Sequence, residues 1–254
     1  MRRSLLIILM AVAGCANGAN IGMGKSQGGR NIAGIFIEGA IVPGDFEKFR
    51  AVVLQRENID PVWLASPGGD FVEAMKIGEL VRELKLSVWA PYKNGLLFPV
   101  IRDPANAVCA RACFYIYATG VQRRGEVLGV HRPYLSQSAL VSMTLDEAAR
   151  AQAVVLQNSS TFLLRAGVSP TITERIGLIG SNEIIWLTDA DVLKLNGFIP
   201  EFEEWFKAKC AIHPKTQLPL SQVERSECQG NLLAQEQAVA KFQWLLQTAP
   251  RSKN

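Results

Sequence analysis

Short apolar runs alternate with helix-spaced apolar positions through the first half of the chain. Residues 62–65 and 86–90 are runs of the length typical of buried strands, and residues 32–42 indicate a strand pair interrupted by glycine. Between the two runs, apolar residues recur at helical spacing over residues 70–84, with Asp70 as the predicted N-cap. This alternation predicts an α/β domain with buried, largely parallel strands.

The second half of the chain predicts longer helices. Thr144 and Glu147 form a capping-box pattern before a long apolar-rich helix, which Gly167 is expected to end. A strand is expected at residues 126–131. An amphipathic helix is expected at residues 231–246.

The N-terminal residues are typical of an export signal. Arg2 and Arg3 precede an apolar stretch at residues 5–12, which is too short to span a bilayer as a finished helix. The stretch ends in Val12-Ala13-Gly14-Cys15, which resembles a bacterial lipobox, and the resemblance implies cleavage before Cys15 and lipidation of its sulfur. The alternatives are an ordinary signal peptide in which Cys15 is incidental and a retained anchor helix.

The lipobox interpretation sets the N-terminal boundaries. Residues 1–14 form the expected signal peptide, and residues 15–31 a lipidated, flexible, glycine-rich tether. Ala16 follows the cysteine where aspartate would imply retention in the inner membrane. The expected location is therefore the bacterial periplasm, on a lipoprotein anchored to the outer membrane.

The other four cysteines, in an exported chain, favour two disulfides. Four cysteines allow three pairings, of which we expect Cys109–Cys113 and Cys210–Cys228. The spacing of the first pair is not a zinc signature, and neither a metal nor a cofactor is expected. The net charge of +4 is mild, and no aromatic-basic stripe accompanies it, so nucleic acid is not an expected partner.

Three motifs together resemble a known family. They are residues 108–120, in which Arg111 stands nine positions before Gly120, the turn Ser66-Pro67-Gly68-Gly69-Asp70, and His131. The set is similar to the Clp protease proteolytic subunit and the wider Clp/crotonase superfamily. The resemblance covers residues 32–200 and implies a repeated β-β-α superhelical fold. Residues 201–254 have no counterpart in the resemblance, and we expect them to form a disulfide-containing helical extension.

The resemblance also implies roles for individual residues. The N–H groups of Gly69 and Ala112 match the oxyanion-hole donors, and His131 matches the base. Gly68 and Gly69 let the backbone approach a ligand closely. Arg111 occupies the position of the serine nucleophile, but a guanidinium stays protonated and only donates, so it cannot attack a carbonyl.

Other parts of the family's site have no clear match. Glu183 is the acid nearest to the expected position of the third catalytic residue. A dyad of Cys113 and His131 is a strained alternative. Residues 91–106 are longer than the family's usual link, and Asn94-Gly95 predicts a hairpin or flap there, or an insertion without consequence.

We therefore expect a lipoprotein whose Clp-like domain has lost peptidase activity and acts as a binding or scaffold module. Arg111, a helix N-terminus and two N–H donors suit a peptide carboxylate or a small anion. Arg111 could instead reach solvent as a remnant, or pair with Asp103. The rivals are a periplasmic hydrolase with a displaced nucleophile that uses His131 and the Gly69/Ala112 oxyanion hole, and a crotonase-like enzyme acting on an acyl thioester.

The expected partners are the membrane, through the lipid anchor, a peptide or small anionic ligand, and further copies of the chain. In the resemblance, the helix that begins after Thr144 belongs to an oligomerising handle. Packing of this helix against its own domain is the alternative.

The lipobox generates a direct prediction. Mass spectrometry of the mature protein should find a chain that begins at a lipidated Cys15. A mature N-terminus elsewhere, or an unmodified Cys15, would contradict it.

Overall fold

The structure, a computed structural model, describes residues 18–25, 31–93, 103–135, 137–180 and 183–248. The predicted signal peptide, Cys15 and the Asn94-Gly95 turn lie outside these ranges. Within them, no helix is both long and apolar enough to cross a bilayer.

The described strands form two sheets. They are β1 Asn20–Lys25, β2 Asn31–Glu38, β3 Val62–Ala65, β4 Val88–Trp89, β5 Cys109–Ala110, β6 Gln122–Arg124, β7 Leu128–Val130, β8 Ile185–Trp186 and β9 Gly197–Phe198. The larger sheet has the order β1-β2-β3-β4-β6-β9, with parallel pairs from β2 to β6 and antiparallel strands at both edges. The smaller sheet has the order β5-β7-β8. The predicted α/β class, with its parallel strands, is confirmed.

Nine helices lie in the described part of the chain. They are α1 Asp45–Gln55, α2 Phe71–Glu83, α3 Ala112–Ala118, α4 Gln137–Val141, α5 Leu145–Arg165, α6 Pro170–Leu178, α7 Asp189–Leu195, α8 Pro200–Lys209 and α9 Gln222–Thr248. The capping box of Thr144 and Glu147 is present at the start of α5. Gly167, with a φ of 78°, lies just after its end, as predicted.

The centre of the core is α3, whose seven residues are all buried. It lies against α2, and Gly78 of α2 allows this because a Cβ there would lie 3.1 Å from both Thr119 and Phe162. Ile35 and Ile37 of β2 are buried in the same core. Each large apolar side chain buried in this way contributes about 1.5–3 kcal/mol, so α3 is fixed firmly against the sheet.

The expected tether at residues 15–31 is wrong in its second part. Residues 20–25 form β1, which pairs antiparallel with β2, and Ala19 N donates to the buried carboxylate of Asp45 at 3.0 Å. Glycine-rich composition suggested flexibility, but the exposed edge of β2 supplies backbone partners that local propensity does not reveal. The folded domain therefore begins before residue 32.

The C-terminal extension packs on the α/β domain. The expected disulfide Cys210–Cys228 links α9 to the residue after α8. Glu236 pairs with Lys85, and the Gln237 side chain donates to the Lys85 carbonyl at 2.9 Å. Trp244 of α9 is buried in the main core, whereas Phe206 of α8 and Leu233 of α9 are buried in a second cluster with Val121 and Ile199.

The apolar residues of α5 divide between two environments. Phe162 and Leu163, near its end, are buried in the core. Leu145 and Val154, nearer its start, are exposed. Packing against the domain therefore explains the apolar residues in the last turns of α5. An oligomerising role for its first turns stays a prediction.

Asp60 is a buried carboxyl between the sheet and α9. It accepts from Ser87 N and Ser87 Oγ at 2.5 and 3.1 Å. Burial raises the pKa of Asp60 from the ordinary 3.8 to about 6, although hydrogen bonds from Ser87 and Gln237 act in the opposite direction. The folded state therefore binds more protons than the unfolded state between these two pH values, and stability falls as the pH rises through that window.

The substitution Asp60→Asn should remove this pH dependence, because the amide keeps an acceptor but does not titrate. The free energy of unfolding should exceed that of the parent above pH 6, by up to about 3 kcal/mol, and should differ little near pH 4. Urea unfolding at several pH values measures it, with the exposed Glu227→Gln as control. A pH profile unchanged by Asp60→Asn would contradict the assignment.

Candidate functional site

Arg111 connects β5 to α3 in a backbone conformation that few side chains adopt. Its φ is 53° and its ψ is −121°. Such a conformation costs about 1–3 kcal/mol and persists only where the surroundings fix it. Here Arg111 N donates to Gly129 O at 2.9 Å, and Ala110 N donates to Ser66 O at 3.1 Å. Pairing with neighbouring backbone on both sides therefore holds the turn.

The turn at Gly68 and Gly69 packs directly against this junction. Their φ values are 104° and 137°. A Cβ on Gly68 would lie 2.6 Å from the Arg111 Cβ, and one on Gly69 would lie 2.1 Å from the Ile41 carbonyl oxygen. Ile41 N donates to Gly68 O, and Asp70 N to Ile41 O, each at 2.8 Å. Both positions therefore require glycine.

Two backbone N–H groups are left over from this packing. The N–H groups of Gly69 and Ala112 donate to no residue that the structure describes. Gly68 lies beside the second of them, since a Cβ there would be 3.0 Å from Ala112 N. The structure thus brings together the two donors that the sequence predicted. Because α3 has only seven residues, its macrodipole adds little to them.

A disulfide spans the strained residue. Cys109, in β5, is bonded to Cys113, in α3, with a Cα–Cα distance of 5.3 Å, and both cysteines are fully buried. This confirms the expected pairing. The bond also overturns the proposed dyad of Cys113 and His131, because a sulfur in a disulfide is not a free thiolate.

The described parts of the site line one open cleft of about 410 Å³. Arg111, Ala112 and Gly69 form its polar end, together with His131. Apolar side chains from several elements form its wall. The full lining is Gly69, Asp70, Phe71, Val72, Arg111, Ala112, His131, Pro133, Tyr134, Leu135, Ala139 and Val155.

The Arg111 side chain is exposed at this cleft and has no hydrogen bond or ion pair with a described residue. Asp103, the acid considered as its partner, instead accepts from Ala105 N at 2.9 Å and donates its own N–H to Glu38. Pairing with Asp103 is therefore wrong. A permanent cation is left facing the cleft, near His131.

His131 is half-buried at the end of β7. Burial lowers its pKa below 6.5, and the positive charge of Arg111 lowers it further, while a backbone hydrogen bond of its own acts in the opposite direction. The ring is therefore neutral at neutral pH. Its buried Nδ1 has no partner on another described residue. A base needs a group that orients it and stabilises its protonated form, and here an arginine disfavours that form.

The third catalytic residue of the family has no counterpart among the described side chains around His131. Glu183 is exposed and lies against Gly180. Asp70 lines the cleft, but its carboxylate caps α2 by accepting from Glu73 N at 2.8 Å. Among the described residues, no group of three or more metal-ligating side chains is placed to hold a metal ion.

Sequence reasoning missed the apolar wall of the cleft. Phe71, the pair Tyr134-Leu135 and Val155 belong to three separate segments that only the fold brings together. Tyr134, three residues after His131, was the one local signal, since an aromatic residue near a site histidine often contacts a ligand. The rings of His131 and Tyr134 lie 5.6 Å apart.

Comparisons with known proteins give structural neighbours only. The sequence matches no protein-family model and no curated protein. A mutant of ClpP1 from Listeria monocytogenes is similar in structure, with 16% identity and a TM-score of 0.44 over 63% of this chain and 85% of that chain. A mutant of the membrane-bound, stomatin-specific protease 1510-N has 20% identity and a TM-score of 0.43 over 73% of this chain and 89% of that chain. The first bears the name of the family that the sequence resembles.

The effect of the Arg111 charge on the pKa of His131 can be measured directly. Replacing Arg111 by glutamine should raise the pKa of His131, because a neighbouring positive charge is removed while burial is kept. Titration of the His131 ring by NMR measures this, with the exposed Arg225→Gln as a matched control. An equal pKa in all three proteins would show that the guanidinium does not face His131.

Proposed function

We propose that the chain is an exported lipoprotein whose α/β domain binds a carboxylate-bearing ligand in the Arg111 cleft and does not hydrolyse it. One observation carries the proposal. An arginine without a partner among the described residues and two backbone N–H groups without acceptors meet in a single cleft. Two backbone N–H donors and a permanently charged guanidinium, which has five N–H donors, are complementary to an anion.

The backbone conformation of Arg111 favours a ligand-binding role over an arginine that simply reaches solvent and has no role. The strained turn, the two obligatory glycines and the disulfide all fix the Arg111–Ala112 backbone. Residues with a strained backbone are found mainly at functional sites, where the surrounding structure holds them in that conformation. A bound anion would stabilise the arrangement by accepting from both N–H groups.

The shape of the cleft favours an organic carboxylate over an inorganic ion. The guanidinium can bind a carboxylate with two parallel hydrogen bonds. The apolar wall of Phe71, Leu135 and Val155 lies in the same cleft and suits an apolar group on the same ligand. The C-terminal residue of a peptide with an apolar side chain has both parts.

Hydrolysis lacks a nucleophile among the described residues of the cleft. None of them is serine, threonine or a free cysteine, and Tyr134 carries the one hydroxyl in that set. A tyrosine hydroxyl needs a base in order to attack, and the neutral His131 has no orienting acid among the described side chains. These features favour binding over catalysis.

Two further features support the exported location. The four cysteines after Cys15 are all paired in disulfides, which persist in oxidising compartments. The N-terminal lipobox pattern gives the route to the membrane. In this proposal, the lipid holds the protein at the outer membrane and the cleft faces the periplasm.

The proposal predicts a loss of affinity on substitution of Arg111. Calorimetry should show that a peptide with an apolar C-terminal residue binds the parent protein. Arg111→Gln should weaken this binding about tenfold to a hundredfold, since a charge-assisted bond contributes about 1.5–3 kcal/mol. The exposed Arg225→Gln is the control variant, and the C-terminally amidated peptide is the control ligand.

Equal binding of the acid and the amide, or no effect of Arg111→Gln, would mean that the cleft is not a carboxylate receptor. A serine-reactive fluorophosphonate probe tests the rival hydrolase separately. Labelling of one serine that survives replacement of the others would establish a displaced nucleophile.

A further inference from the structure

The cleft at Arg111 contains a negative charge as well as a positive one. Among the described residues that line it, Asp70 and Arg111 carry the formal charges, and His131 is neutral at neutral pH. The described lining therefore has no net charge. A carboxylate in the wall would weaken the binding of a simple anion, because like charges in one cleft repel each other. The two charges together are complementary to a ligand that carries both signs.

The Asp70 carboxylate has one oxygen available to a ligand. Its Oδ1 accepts from Glu73 N at 2.8 Å and caps α2, whereas its Oδ2 accepts from no described residue. The positive charge of Lys76 interacts with Asp70 electrostatically, but the Lys76 ammonium is bonded to Glu73 Oε1 at 2.7 Å. The half-buried Asp70 side chain thus has an acceptor and a negative charge without a hydrogen-bonded cation.

Asp70 directly follows Gly69, which supplies one of the two free N–H groups. Consecutive Cα atoms lie about 3.8 Å apart, so the acid and this donor occupy neighbouring positions of one turn. In an α-amino acid, the carboxylate and the ammonium are attached to the same carbon and are likewise close together. The turn therefore presents a donor and an acidic acceptor in the order that such a pair of groups needs.

The remaining lining suits an apolar side chain on the same ligand. Phe71 and Val72 follow Asp70 along the chain, and Leu135 and Val155 line the same cleft. The volume of about 410 Å³ lies near the lower end of the range of about 300–1,000 Å³ that small-molecule sites occupy. A small ligand with a carboxylate, an ammonium and an apolar group would use every part of this lining.

We propose that the ligand of the Arg111 cleft is a free α-amino acid with an apolar side chain. Its carboxylate binds Arg111 and the N–H groups of Gly69 and Ala112, and its ammonium binds the free oxygen of Asp70. The inference rests on the carboxylate site proposed above and narrows its ligand, because the C-terminal residue of a peptide has a neutral amide where the free amino acid has an ammonium.

Calorimetry on the full chain tests the proposal with three compounds. Leucine carries both charges, N-acetyl-leucine lacks the positive charge, and leucinamide lacks the carboxylate. The test variant is Asp70→Asn, which keeps the cap of α2 because asparagine caps helices as well as aspartate does. The exposed Glu227→Gln is the matched control, since it also removes one negative charge. Thermal unfolding of each variant verifies that it is folded.

The parent protein should bind leucine about tenfold to a hundredfold more tightly than N-acetyl-leucine, because a charge-assisted hydrogen bond to Asp70 is then made. Asp70→Asn should remove this difference by weakening the binding of leucine and not that of N-acetyl-leucine. Glu227→Gln should change neither affinity. Leucinamide should bind more weakly than leucine to all three proteins.

Equal binding of leucine and N-acetyl-leucine, or a preference for leucine that survives in Asp70→Asn, would overturn the amino-acid assignment and leave the carboxylate site standing. The same holds if neither compound binds and the peptide with an apolar C-terminal residue does. Leucinamide that binds as tightly as leucine, or the failure of leucine, N-acetyl-leucine and the peptide to bind, would overturn the carboxylate site as well.

Discussion

The site depends on the close approach of three backbone segments. Hydrogen bonds join Ile41 to the Gly68-Gly69 turn, and the turn packs so closely against Ile41 and the β5–α3 junction that neither glycine has room for a Cβ. At this junction Arg111 has a φ of 53°, and the N–H groups of Gly69 and Ala112 have no acceptor on a described residue. The disulfide Cys109–Cys113 spans the same junction. The positions of the two donors are therefore consequences of the fold.

The residue at the junction decides what these donors can do. With a hydroxyl there and a properly oriented base, two N–H donors would stabilise a developing oxyanion. With Arg111 there, the same donors face a fixed positive charge, and the nearby His131 is held neutral by burial and by that charge. The arrangement is then suited to an anion that is already present in the ligand and not to one that develops during a reaction.

Much of the fold could be predicted from local signals. Thr144 with Glu147, Gly167, and the short apolar runs are features whose structural meaning depends on a few neighbouring residues. The disulfide pairing and the two glycines were also predictable, since close spacing and a two-glycine turn limit the alternatives. Strand β1 was not predictable, because Gly22 and Gly24 have low strand propensity and become ordered by pairing with β2.

The candidate site was only partly predictable. Gly69, Ala112, Arg111 and His131 were identified through the resemblance to the Clp protease family, and the structure places them in one cleft. The wall contributed by Phe71, Tyr134 and Val155 was missed, since contacts between distant segments have no periodic signature. The alternative in which Arg111 pairs with Asp103 is wrong, because the Asp103 carboxylate accepts from Ala105 N.

The central claim is that an anion binds at the two free N–H groups. The most direct measurement follows the backbone amide resonances of Gly69 and Ala112 by NMR while a short carboxylate is added. The account predicts that both amide protons move downfield with the same saturation curve. In Arg111→Gln, half-saturation should require a higher carboxylate concentration. Amides that stay unmoved while the carboxylate binds elsewhere, or does not bind at all, would contradict it.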